Sequence, residues 1–450
     1  MRQRHFTAAR SRMMTSHGFL LGILTVCFFV GFSSVAALSP LVASLGQVYN
    51  LSRLERGIAV AAPALTGALL RIPAAYRADR EGGRRTVVCL LGISALGFAL
   101  LATIAALVGT IHLPRPMLLS LLVGAGAAAG AGAALFAPGA TYLTYIVPFG
   151  MLGRATGLFG GLGNLGAGIA ALVLPFAVLR FGLPACYACW AFVLAGLAAI
   201  VARTLPDPPY FELRRHGYQP HEARRAAAAR GQECFPGDRL SLGQTARALQ
   251  SPAMWLLVCT FGTTFGGFLA FSAWLPLYWI EAQGLDLGQA GAATAAFAVT
   301  ASASRVLGGF AADRLGPRST LVTGLLATTL LGLFATGLNN ATAMVLVVVL
   351  LGSAMGIVNG AVFKLVPVRV PDVIGSANGL VSGLGAVPGF LLPPLFGLWV
   401  DAFGSAGHRL PFVTIALLAA LCWFGQRATR SAMPTARRDR TPSRPPRSVE

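Results

Sequence analysis

Long uncharged runs recur along the whole chain, as at 18–52, 86–112, 181–202 and 373–400, separated by short stretches rich in Arg, Gly and Pro. A helix that crosses a bilayer needs about 20 predominantly apolar residues, and these runs supply that length repeatedly. Divided at turn-forming breaks, they predict twelve spans at 18–42, 57–77, 86–108, 117–141, 155–179, 184–203, 252–276, 289–311, 320–337, 343–364, 376–398 and 410–427. The alternation of an outer-membrane barrel strand is absent. The first run is far longer than the apolar part of a signal peptide and reads as a retained helix. The expected fold class is therefore an all-α integral membrane protein.

Composition strengthens that reading. The 450 residues are 55% hydrophobic and only 11% charged, with a mean hydropathy of +0.69, against about 25% charged residues in ordinary soluble domains. A net charge of +20 would suggest nucleic acid if the charges formed a patch. They do not: with both termini inside, only Arg53, Arg56, Arg115, Arg180 and Arg409 fall outside, and Arg71 and Arg305 fall within spans. This is the positive-inside bias, so no nucleic-acid partner is expected. The expectation is a multi-pass, monomeric protein of a bacterial inner membrane with both termini cytoplasmic. Its basic tail, Arg427 to Arg447, is free to touch anionic lipid.

Cysteine usage adds little chemistry. Cys27, Cys89, Cys259 and Cys422 lie inside spans and read as small packing residues. Cys186 and Cys189 form a C-x-x-C with no second pair or His cluster beside it, and Cys234 stands alone. No metal, cofactor or catalytic group is expected, since no nucleophile and base pair or phosphate loop stands in the sequence.

An internal repeat organises the spans. Arg71-Ile-Pro-Ala-Ala-Tyr-Arg-Ala-Asp79-Arg80-Glu-Gly82-Gly-Arg84 aligns with Arg305-Val-Leu-Gly-Gly-Phe-Ala-Ala-Asp313-Arg314-Leu-Gly316-Pro-Arg318. Gly153-Arg-Ala-Thr-Gly157-Leu-Phe-Gly160-Gly161-Leu-Gly163 aligns in the same way with Gly375-Ser-Ala-Asn-Gly379-Leu-Val-Ser-Gly383-Leu-Gly385. The long polar interval after Arg203 separates the copies. The organisation expected is a tail at 1–17, a six-helix bundle at 18–203, a linker at 204–251, a second bundle at 252–427 and a basic tail at 428–450. Two parallel six-helix repeats resemble the major facilitator architecture, in which the site lies between bundles. The Asp-Arg-x-Gly-x-Arg loops resemble that superfamily's loop motif, with an extra Gly83 in the first copy. Acid and base at these helix ends could pair in one conformation and separate in another, so Asp79, Arg80, Arg84, Asp313, Arg314 and Arg318 are candidate gating residues.

Every Asp, Glu and His falls in a loop, a tail or a helix end, yet Arg71 and Arg305 sit in the second span of each half. Each precedes its matching Asp by eight residues, about 12 Å of helix, which is near the middle of a core about 30 Å thick. A mid-membrane Arg costs at least about 2.5 kcal/mol and marks a pathway. Two of them without a carboxylate call for an anion. The planar guanidinium fork suits planar oxyanions. Carboxylates fit that geometry as well as a trigonal inorganic anion does.

The chain also resembles the nitrate/nitrite porter family of the major facilitators. Gly67-Ala-Leu-Leu-Arg71-Ile-Pro73, Gly82-Gly83-Arg84-Arg85 and Asn359-Gly-Ala-Val-Phe-Lys364-Leu-Val-Pro367 are similar to strings of that family. Gly160-Gly-Leu-Gly-Asn164-Leu-Gly166-Ala-Gly168 and Gly379-Leu-Val-Ser-Gly383-Leu-Gly385-Ala-Val-Pro-Gly389-Phe390 resemble its two signature segments, with Ser382 and Pro388 as departures. The resemblance implies that Arg71, Arg305 and Asn164 bind the anion, flanked by Phe136 and Phe265, with Phe261 and Phe268 as neighbouring alternatives. It implies that Gly160, Gly161, Gly163, Gly166, Gly379, Gly383, Gly385 and Gly389 let helices slide or bend. Asn164 has Ala386 as its repeat partner, so it breaks the symmetry with a donor. The function expected is alternating-access exchange of nitrate and nitrite. Proton-linked nitrate uptake through water or Lys364, the only lysine, stays open. So do a carrier of small organic monoanions and an anion-binding membrane sensor.

Overall fold

The computed structural model describes residues 17–38, 41, 51, 53–108, 114–236 and 249–429. The expected N-terminal tail and nearly all of the basic C-terminal tail lie outside the described residues. Those described are predominantly helical, without a strand. The spans are His17–Phe32, Arg53–Glu81, Arg84–Leu107, Arg115–Ala129 with Phe136–Ile146, Leu152–Phe181 and Leu183–Thr204, followed by Pro252–Phe261 with Gly267–Glu281, Leu287–Arg314, Pro317–Thr336, Ala341–Arg369, Ile374–Leu384 with Pro388–Phe403, and Leu410–Ala428. In lipid every backbone group must find its partner inside the segment, which is why uncharged runs of this length become helices. Large side chains such as Phe176, Phe192, Leu179 and Leu421 are exposed on the outside, where lipid rather than water meets them.

Three spans are interrupted where the sequence weakens the helical ladder. The fourth tightens into a 3-10 turn at Gly130–Leu135, where small residues let backbones converge. A Cβ on Gly132 would lie 2.7 Å from the Cα of Gly31, and one on Gly130 would lie 2.2 Å from the carbonyl oxygen of Pro63. The seventh contains a π turn at Gly262–Gly266. The eleventh breaks at 385–387 because Pro388 has no N–H for the carbonyl of Leu384, which accepts instead from Val387 at 3.1 Å. Its repeat partner, Leu152–Phe181, is continuous.

The tenth span is longer than its hydrophobic run predicts. Lys364, expected at a helix end, lies inside Ala341–Arg369 and is buried. An ion pair makes its burial tolerable.

The two bundles meet through matched small faces. On the fifth span, a Cβ at Gly157 would lie 2.8 Å from the carbonyl oxygen of Arg305, and one at Gly161 would lie 2.7 Å from that of Ser302. On the eleventh, a Cβ at Gly379 would lie 2.8 Å from the carbonyl oxygen of Arg71, and one at Gly383 would lie 3.0 Å from that of Ala68. Further along both helices, away from the Asp-Arg loops, the glycines turn to their own bundle. Gly163 and Gly166 face Phe28 and Phe29, Gly385 faces Phe261, and Gly389 faces Leu269. These bundle-to-bundle contacts therefore run from the level of the two arginines down to the loop face.

The polar interval after Arg203 carries two short helices, Pro209–Arg215 and Pro220–Ala228. The buried Asp207 anchors them by accepting from the backbone N–H of Arg84 at 3.2 Å and pairing with Arg84 Nε at 3.4 Å and Arg215 Nη2 at 2.5 Å. Phe211 then packs edge-on against Tyr145, with ring centroids 5.5 Å apart.

Candidate anion site

Arg71 and Arg305 are buried, 3% and 2% exposed, and share the same aromatic walls. The guanidinium carbon of Arg71 lies 5.5 Å from the ring centres of both Phe136 and Phe265. That of Arg305 lies 4.8 Å from Phe136 and 5.9 Å from Phe265. Of the five residues expected to bind the anion, Arg71, Arg305, Phe136 and Phe265 come together in this way. Phe136 is placed by the end of the 3-10 turn in the fourth span, and Phe265 by the π turn of the seventh. A π turn inserts an extra residue into the helix and so re-aims the side chains around it.

The two arginines differ in how they are held. Arg71 Nη1 donates to the carbonyl oxygen of Ser382 at 3.0 Å, and its Nη2 to that of Ala133 at 3.4 Å, leaving Nε without a partner. Arg305 Nε and Nη2 have no protein partner. Its guanidinium lies against Gly160, where a Cβ would come within 2.5 Å of Cζ. Buried donors are almost always satisfied, so these N–H groups fit an oxyanion between the rings. Attraction to ring faces offsets part of the burial cost but provides no counter-charge.

Asn164 lies one turn beyond Gly160 on the same helix face. It is buried, and its Oδ1 is without a partner. Phe261 stacks on Phe265 at 4.8 Å and lies 5.7 Å from Arg305. Phe268 stands behind Phe265 at 6.1 Å. Phe363 escaped the sequence reading as a member of the site, and Gly160 was expected there only as a helix-flexing glycine. Phe363 sets its ring edge-on to Phe136 at 4.8 Å and to Phe261 at 5.0 Å, 6.0 Å from Arg305. Gly160 is the seat of the Arg305 guanidinium. The repeat alignment held the signal for Gly160, since it matches Ser382, the residue that receives Arg71.

At the loop face each motif aspartate reaches the opposite bundle. Asp79 accepts from the Tyr145 hydroxyl and lies against the start of the eleventh span, where a Cβ on Gly375 would come within 2.7 Å of its carboxyl carbon. Asp313 accepts from the N–H groups of Gly153 at 2.9 Å and Arg154 at 2.8 Å, at the start of the fifth. A carboxylate is well placed at a helix N-terminus, where unpaired donors and the helix dipole favour negative charge. Asp313 also pairs with Lys364 Nζ at 2.6 Å and Arg154 Nε at 3.3 Å. The loop arginines point elsewhere. Arg80 lies over Tyr76, Arg84 pairs with Asp207, Arg314 is exposed, and Arg318 donates to the carbonyl oxygens of Gln426 and Arg427.

The family model described as Major Facilitator Superfamily matches residues 23–393 and 279–448. A relative described as a probable nitrate/nitrite transporter, NarK2 of Mycobacterium tuberculosis, is 32% identical over 375 residues, covering 83% of this chain and 86% of the relative. A probable nitrate/nitrite antiporter, NarK1 of Thermus thermophilus, is 28% identical, with 91% of each chain covered. Among solved structures, the fucose:proton symporter FucP of E. coli superposes with a TM-score of 0.67 at 17% identity, covering 92% of this chain and 99% of that one. That likeness speaks for the fold alone. The chain belongs to the major facilitator superfamily and, within it, to the nitrate/nitrite porter family.

Proposed function

We propose that this protein carries nitrate and nitrite across the cytoplasmic membrane of a bacterium by alternating access, exchanging one anion for the other. The observation that carries the proposal is the pair of buried guanidinium groups, Arg71 and Arg305, walled by Phe136 and Phe265 with unpartnered N–H donors. Two like charges in an apolar cage repel and are costly to desolvate until an anion neutralises them. A flat monoanion suits two forks between rings. Asn164 adds an amide donor one turn away. The positive-inside bias places the Asp-Arg loops and both termini in the cytoplasm, so the matched glycine contacts close the cytoplasmic side.

In the exchange cycle, anion binding lets the bundles approach, and release requires the two helix-start contacts of Asp79 and Asp313 to open. Those two aspartates, rather than the loop arginines, act as the gate. The glycines at 157, 161, 379 and 383 give the sliding faces, Gly160 seats Arg305, and those at 163, 166, 385 and 389 let the outer helix halves bend. The test is flux into proteoliposomes holding the purified protein. Nitrate and nitrite are expected to compete for entry, with formate and acetate poor competitors. Preferential transport of formate or acetate would show the organic-anion reading to be correct instead.

A further inference from the structure

Asn359 is buried in the tenth span, and its Oδ1 accepts from the hydroxyl of Thr264 at 2.6 Å. Thr264 belongs to the π turn Gly262–Gly266, between Phe261 and Phe265. The same hydroxyl lies 2.9 Å from the carbonyl oxygen of Thr260, its partner within the span. A hydroxyl has one proton to donate, so Asn359 and the helix's own backbone compete for it. The neighbours of Asn359 on its helix reach the site as well. A Cβ on Gly360 would lie 2.2 Å from the carbonyl oxygen of Arg305, and Phe363, one turn on, meets Phe136 and Phe261.

We propose that Asn359 is a positioning residue for anion selectivity, which fixes the π turn through Thr264 and thereby the spacing of the Phe261 and Phe265 rings beside Arg305. The proposal rests on the anion-carrier reading. Phe136 and Phe261 are nearly parallel, 13° apart, with centroids separated by 6.4 Å. Nearly parallel walls favour a flat anion over a pyramidal one of equal charge. A turn held from outside the span by one side-chain acceptor keeps that separation. Without the acceptor, the hydroxyl of Thr264 still has the carbonyl of Thr260, so the span retains its hydrogen bonds while the rings are less tightly placed.

The experiment compares wild type, Asn359→Ala, Thr264→Val and the double variant in proteoliposomes. Protein amount is measured in each preparation, and KM is determined for nitrate and for pyramidal chlorate. Thr264→Val keeps the side-chain volume and removes only the hydroxyl. Each single variant is expected to raise KM for nitrate about five- to tenfold, the effect of one hydrogen bond, with less change for chlorate, so that the preference for nitrate narrows. The double variant is expected to be no worse than the poorer single, because both remove one shared contact. Unchanged preference in both singles, or losses that multiply in the double variant, would overturn the role of Asn359. A wild-type protein that carries neither anion would overturn the carrier reading itself.

Discussion

The guanidinium of Arg305 lies against Gly160, while Arg71 donates to the carbonyl of Ser382, the residue that the repeat aligns with Gly160. Each arginine thus rests on the equivalent point of a helix from the opposite bundle. Only at Gly160 does the absence of a side chain make the room. Gly160→Ala is expected to push the Arg305 guanidinium aside and to raise KM for nitrate about tenfold or more, since small misplacements at a site are expensive. Ser382→Ala should change KM little, because its hydroxyl serves the carbonyl of Asn378 and Arg71 uses only its backbone. Equal KM values for the two variants would show that the seat at Gly160 has no part in binding.

Replacing either Arg71 or Arg305 by Lys tests the fork itself. A lysine keeps the charge but offers a point rather than a plane. At Arg71 it also loses at least one of the two carbonyl contacts on Ser382 and Ala133. Transport by either variant is expected to fall at least about a hundredfold, with insertion unaffected, as when a charge-assisted contact to a substrate is lost. Near-normal nitrate flux in both variants would argue against a bidentate site.

Lys364 and Asp313 form a buried pair whose separate halves should be worse than no pair. Removing one partner of a buried pair costs up to about 3–5 kcal/mol, more here for Asp313→Asn, which takes the carboxylate from Lys364, than for Lys364→Met, which leaves Asp313 with Arg154 and two backbone N–H donors. Lys364→Met and Asp313→Asn should each lower the melting temperature in detergent. The double variant should lose less than the sum of the two. Strict additivity in Tm would mean that the pair does not stabilise this conformation.

The hydrophobic runs and the repeat made the twelve spans and the Arg pair legible, because burial in lipid demands length and repeat symmetry exposes what is matched. Asn164, Phe136 and Phe265 came from family resemblance. The structure adds why Phe136 and Phe265 converge: a 3-10 turn and a π turn, neither of which periodicity reveals. Phe363 and Asn359 stood in the sequence only inside a family-like string, with no role attached to either. What distinguishes them is contact with other spans. The helix-start partners of Asp313 were equally hidden, since a backbone N–H leaves no mark in a sequence. Lys364 was misplaced because hydropathy ends a span at a charge, whereas here the charge is carried inward by its partner.

Coupling is the last question the geometry bears on. Within the described spans no histidine, the side chain that titrates near neutral pH when unperturbed, is present beyond the helix ends. Lys364 is committed to a buried ion pair with Asp313 at 2.6 Å. The opposing anion is left as the driver of counterflow. Nitrite loaded inside vesicles should therefore accelerate nitrate entry at equal pH on both sides, and a proton ionophore should change the initial rate little. One nitrate exchanged for one nitrite moves no net charge, so an imposed membrane potential should have little effect either. Nitrate accumulation driven by an inward proton gradient, in vesicles without internal anion, would refute exchange as the sole mode. The structure then directs attention to Asp79, which accepts from a phenol and has no cation among its described partners, in contrast to Asp313. In that event Asp79→Asn should abolish the proton-driven component while leaving nitrate/nitrite counterflow measurable.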